Sequence, residues 1–110
     1  MTIDTLNGID ANDGDAVAPD LMPTALTAAE LVFDDGNTQV FRADGTTTYV
    51  ESGRDTPGEW SVAANGDFCS FWPPSYRACY ELSRMVEAGT IVGLRFVEQG
   101  KGSRFDGRYR

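Results

Sequence analysis

The stretch Phe68-Cys69-Ser70-Phe71-Trp72-Pro73-Pro74-Ser75-Tyr76-Arg77-Ala78-Cys79-Tyr80 decides how this chain folds. Aromatic and small residues on both sides of a Pro-Pro turn predict an antiparallel hairpin with arms at 67–72 and 78–83 and its bend centred on Pro74. Positions summing to 148 then face one another, which sets Cys69 opposite Cys79. Directly opposed side chains lie about 4.5–5.5 Å apart, a gap that a cross-strand disulfide spans. Two reduced, partly buried thiols are the alternative. A nucleophilic cysteine is disfavoured, because the chain has no histidine to activate it.

Outward from this hairpin the same pattern repeats. Residues 38–42 and 46–52 flank Ala43-Asp44-Gly45, and residues 59–63 and 67–72 flank Asn65-Gly66, two strong turn signals. Residues 53–58, with Pro57, read as a loop, and further strands are expected at 78–84, 90–98 and 104–109. No segment between strands has helical period, which excludes parallel βαβ units. The fold class is therefore mainly β: an antiparallel meander of about seven strands forming a small barrel or half-barrel. One short N-terminal helix is expected at 27–32, where Thr27-Ala28-Ala29-Glu30 fits a capping box, with Leu26, Leu31 and Phe33 facing the core.

A chain of 110 residues, 41% hydrophobic, suits one domain, placed at 23–110. Residues 1–22 carry Asp4, Asp10, Asp13, Asp15 and Asp20 with no basic or aromatic residue, and read as a disordered acidic tail. The net charge of −8 argues against nucleic acid as partner, and no apolar run is long enough to span a membrane as a helix. Absence of histidine removes the commonest general base and zinc ligand. Asp34 with Asp35, or Glu51 with Asp55, could supply paired carboxylates, yet no spacing selects either pair. The run from Asp10 to Asp15 suggests a calcium loop, but its register puts Ile9 at the first position and Asp20 at the last. The chain is accordingly read as no enzyme, with no catalytic residue, metal site or cofactor.

Aromatic residues concentrate mid-chain, and Trp60, Trp72, Tyr76 and Tyr80 are the candidate ligand-binding residues. Strand alternation puts Phe68, Ser70 and Trp72 on one face and Cys69 and Phe71 on the other. Large apolar groups on both faces are either ordinary core or the wall of a cup lined by Trp60, Tyr80 and Leu94. The Trp72–Arg77 turn is either a recognition loop or a structural bend. The basic C-terminal edge, Arg95, Lys101, Arg104, Arg108 and Arg110, reads as a solvated edge that deters strand addition.

From 26 to 109 the chain resembles small uncharacterised proteobacterial domains of lipocalin-like or calycin-like type. The resemblance rests on Thr27-Ala28-Ala29-Glu30-Leu31, Phe41-Arg42-Ala43-Asp44-Gly45-Thr46, Gly58-Glu59-Trp60, Cys69 with Trp72, Cys79-Tyr80 and Gly107-Arg108-Tyr109. It implies a β-barrel and an exported protein with paired cysteines, and transfers no catalytic residue. The expected function is a non-enzymatic binding domain for a small apolar or amphipathic ligand or a partner protein. A protein-interaction or inhibitor module without a cavity, or a structural envelope-associated domain, is the alternative. The expected location is periplasmic or secreted if the disulfide forms, and otherwise cytoplasmic, since residues 1–20 lack the basic and apolar regions of a signal peptide. The sequence sets no oligomeric state.

Overall fold

In the computed structural model, which describes Leu6 and residues 9–110, eight antiparallel strands close into a barrel. They are β1 (Leu31–Phe33), β2 (Thr38–Phe41), β3 (Thr46–Glu51), β4 (Arg54–Val62), β5 (Phe68–Trp72), β6 (Tyr76–Glu87), β7 (Thr90–Glu98) and β8 (Arg104–Tyr109). Each pairs with its neighbour in sequence, and β8 pairs back onto β1. The antiparallel barrel is the expected fold, with an eighth strand added by Leu31–Phe33.

That strand displaces the expected helix. The helix is α1 (Met22–Thr27), which begins with Pro23 in its first turn and ends where a Thr27 cap was expected to start it. Thr27 Oγ1 donates to the Pro23 carbonyl at 2.8 Å, inside the helix, instead of capping a new one. Leu31, Val32 and Phe33 then gain ladder bonds on two sides, to β2 and to β8, which outweighs the weak helical preference of the segment.

The 53–58 loop is likewise replaced. Glu51 pairs with Arg54 across the two-residue turn Ser52-Gly53, and both turn residues have positive φ (50° and 79°), the backbone that tight hairpins require. Pro57 is tolerated within β4 because β5 pairs only with the Glu59–Val62 part of that strand, leaving one edge of the Pro57 region free.

The central hairpin has the expected register, with Cys69 opposite Cys79 and the two sulfurs bonded. Its second arm starts at Tyr76, two residues earlier than expected, so Trp72 faces Tyr76 directly.

Connections alternate between the two ends of the barrel. The 34–37, 52–53, 73–75 and 99–103 connections share one end, the mouth, while 42–45, 63–67, 88–89 and α1 occupy the other. At the far end Leu26 of α1, Leu31 and Leu94 are fully buried, and the Tyr109 hydroxyl donates to the Ala25 carbonyl at 2.6 Å. Outward positions include the polar Thr48, Glu59, Arg77, Glu81 and Arg104 beside the apolar Phe71 and Val97. No helix among the described residues is long and apolar enough to cross a membrane.

The N-terminal segment departs from the expected disordered tail. Residues 1–5, 7 and 8, including Asp4, lie outside the described residues. Beyond them the chain runs along β6 where that strand outlasts β5: Val17 N–H donates to the Leu82 carbonyl (3.0 Å), Arg84 N–H to the Asp15 carbonyl (2.8 Å) and Gly14 N–H to the Arg84 carbonyl (2.8 Å). The Val86 amide donates to Asp13 Oδ1 at 2.9 Å, so this carboxylate caps a strand edge. Val17 and Met22 are each 3% exposed and belong to the core. The hydrophobic positions were too scattered to form a core of their own, but an exposed strand edge of β6 supplied one.

Two outcomes follow. Val17→Ala should cost about 2 kcal/mol in denaturant unfolding, the effect of a core truncation; a neutral result would return the segment to a solvated tail. Replacing both Cys69 and Cys79 by Ala should lower stability by about 2–3 kcal/mol, through the freed loop between them, with the β circular-dichroism spectrum retained.

Candidate functional site

Strand alternation places the site. On β5, Phe68, Ser70 and Trp72 point inward and the disulfide outward, and each cross-strand partner shares its neighbour's face: Tyr80 with Phe68, Tyr76 with Trp72, Tyr49 with Gln39. The inward side chains do not fill the barrel at its mouth. They leave a cavity of about 290 Å³ opening between the mouth connections. That is close to the smallest volume usual for ligand pockets, roughly 300 Å³, and admits only a small molecule.

The floor is a packed aromatic cluster. Phe41, Phe68 and Phe96 meet with ring centroids 5.5–6.2 Å apart, Phe41 stacked on Phe96 and Phe68 edge-on to both. Tyr80 stands edge-on to Phe96 at 6.2 Å and to Phe105 at 6.4 Å. Phe33, Tyr49 and Trp72 form the rim, Tyr49 touching both of the others. Gly58 of β4 makes this possible: a Cβ there would fall 2.5 Å from the Trp72 ring, so only glycine lets the indole lie against the strand.

Three polar side chains interrupt the apolar wall. Ser70 is 4% exposed, and its Oγ makes no hydrogen bond of normal geometry with any described residue. It still lies close enough to the Tyr80 hydroxyl to oppose the upward pKa shift that burial imposes on that phenol. Gln39, also buried, donates from Nε2 to Thr47 Oγ1 at 3.0 Å. Asp35, at the rim, accepts from the Asn37 backbone and side-chain nitrogens at 2.9 and 3.0 Å, which fixes its carboxylate in the turn.

Of the candidate residues read from the sequence, Trp72 and Tyr80 line the cup. Trp60 does not: it packs edge-on to Phe41 at 6.3 Å, outside the cavity, and its Nε1 donates to the Arg42 carbonyl at 2.9 Å. Tyr76 stands beside the mouth, 45% exposed, donating to Glu98 at 2.7 Å with Lys101 over its ring. Leu94 is fully buried and lines no part of the cup. Ser70 and Gln39 had not been singled out. The signal for Ser70 was present in the alternation, as the one polar residue between Phe68 and Trp72 on a shared face. The signal for Gln39 appears only once Tyr49 is known to lie opposite it.

A second orphaned polar atom lies elsewhere. Arg84 is 3% exposed, and its Nη1 has no partner among the described residues; it stands near Tyr109 rather than in the cup. No family model, curated protein or solved structure matches the chain.

Burial raises the pKa of both Tyr80 and Tyr109 above the ordinary phenol value of 10.0. Below that pH the two phenols are neutral in folded and unfolded chains alike, and their contribution to stability is complete. Above it the unfolded chain ionises while the folded one resists, so stability falls as pH rises. Denaturant titrations should show an unfolding midpoint that declines above about pH 10, with fewer than the four tyrosines ionising in the folded protein. Four tyrosinates formed near pH 10 in a protein still folded would contradict the burial of these phenols.

Proposed function

We propose that this protein is a non-enzymatic binding domain that holds a small, mainly apolar ligand in the aromatic cup at the barrel mouth. The observation that carries this is the cavity of about 290 Å³ walled by aromatic rings, with the Ser70 hydroxyl, 4% exposed, buried in its wall beside Tyr80 and making no hydrogen bond of normal geometry with any described residue. Leaving such a group unpaired costs about 1–3 kcal/mol, and a ligand atom bonded to it recovers that penalty. The surrounding rings give large contact area at low conformational cost, which suits a flat or compact ligand. The bonded cysteine pair on the outer face of the same hairpin supports an oxidising location, periplasmic or extracellular.

Phenethyl alcohol, a neutral probe with one ring and one hydroxyl, tests the reading by isothermal titration. One site per chain is expected, and Ser70→Ala should weaken it by about three- to tenfold while leaving the fold intact. Trp72→Ala should weaken it further by removing part of the rim. No detectable binding, or binding indifferent to both substitutions, would defeat the proposal.

A further inference from the structure

We infer that the cup selects a protonated amine attached to a small apolar or aromatic body, in preference to a neutral alcohol or a carboxylate. The inference rests on the cup being a binding site, and adds the charge and hydrogen-bonding character of what enters it.

Two groups on the cavity wall can only accept, Gln39 Oε1 and the Asp35 carboxylate, and the hydroxyls of Ser70, Tyr49 and Tyr80 can donate or accept. Thr47 Oγ1 spends its proton on the Val40 carbonyl, at 2.8 Å. It can therefore only accept from Gln39, which fixes the amide with Nε2 toward Thr47 and leaves Oε1 with no donor among the described residues. Asp35 accepts two hydrogen bonds from Asn37, and a carboxylate has room for about four. No Lys or Arg lines the cavity. The ring faces that make up the rest of the wall carry negative quadrupole, which attracts a cation and repels an anion.

Acidic residues outnumber basic ones around the mouth. Asp34 and Asp35 lie in the 34–37 connection, and Glu51 and Asp55 flank 52–53. The bases nearby are Arg54, Lys101 and Arg104. Lys101 lies 3.7 Å from Glu98, Arg104 shares Asp106 with Arg95 (2.8 and 3.0 Å), and Arg54 lies opposite Glu51 in the β3–β4 register. These bases stand outside the cavity, and Asp35 is, among the described residues, the one charged side chain on its wall. An ammonium at the rim would meet Asp35 and Gln39 Oε1, with its ring on the Phe41, Phe68 and Phe96 floor. A carboxylate in that place would stand beside the Asp35 carboxylate and could pair only with the hydroxyls of Ser70, Tyr49 and Tyr80.

The test is a set of three probes with the same ring and different heads: phenethylamine, phenethyl alcohol and hydrocinnamate, each titrated into the wild-type chain at low and high salt. Phenethylamine should bind about tenfold tighter than hydrocinnamate, as a charge-assisted hydrogen bond predicts, and should lose part of that advantage in salt. Asp35→Asn should reduce the ratio to about threefold or less. If all three bind and hydrocinnamate matches or exceeds phenethylamine, the charge selection is wrong while the cup remains a binding site. An amine no better than the alcohol overturns it equally. Should none of the three bind, the binding function itself falls and the charge selection falls with it.

Discussion

Everything in this molecule depends on closing the sheet between β1 and β8. Closure uses a strand of only three residues, Leu31–Phe33, whose ladder to β8 spans Leu31 with Tyr109 through Phe33 with Gly107. The backbones crowd there. A Cβ on Gly107 would meet the Phe33 ring at 3.1 Å and Leu31 Cβ at 3.2 Å, and one on Gly93 would collide with the Gly107 carbonyl. Glycine at both positions lets the sheet curl tightly enough to join its ends. Once joined, the barrel keeps only local edges, at the Pro57 part of β4 and where β6 runs beyond β5, and alternation assigns strand side chains to an inside or an outside.

The inside is then unevenly filled. At the far end α1 brings Leu26 down onto Leu31 and Leu94, and the N-terminal segment adds Val17 and Met22. A barrel of eight strands has just enough interior for such side chains, so that end is solid. Among the described residues nothing equivalent covers the mouth. Its connections are short turns, and the side chains below them stop short of filling the space they enclose. The cavity is thus a consequence of putting the helix at one end only and rings at the other.

The legibility of the sequence followed the range of the interactions involved. The hairpin at 68–80, its register and the cysteine pairing depend on residues close in sequence, and were readable from turn chemistry and alternation. The place of Val17 depends on β6 outlasting β5 by several residues, a difference in strand length that appears only after the ladder is paired. The helix and β1 were exchanged for a similar reason: Thr27-Ala28-Ala29-Glu30 has the local form of a cap, but closure demanded a strand at Leu31–Phe33 and the helix moved back to Met22–Thr27. Within the site, Trp72 and Tyr80 were found because aromatic density marked them. Trp60 was marked by the same density and lies elsewhere, because composition alone does not say on which side of Phe41 a ring packs.

The same alternation that made the cysteines recognisable also made Ser70 meaningful. Two residues of opposite parity on one strand, Cys69 and Ser70, are committed to opposite faces; if the disulfide is outside, the serine must be inside. An inward serine among phenylalanines is unfavourable for folding alone, since an alanine would fill the position without an unpaired hydroxyl. Gln39 also turns inward, its Nε2 held by Thr47 and its Oε1 without a donor among the described residues. Two such groups facing one cavity, on strands that approach from different sides of the barrel, have a common physical rationale in a bound molecule that pairs with them.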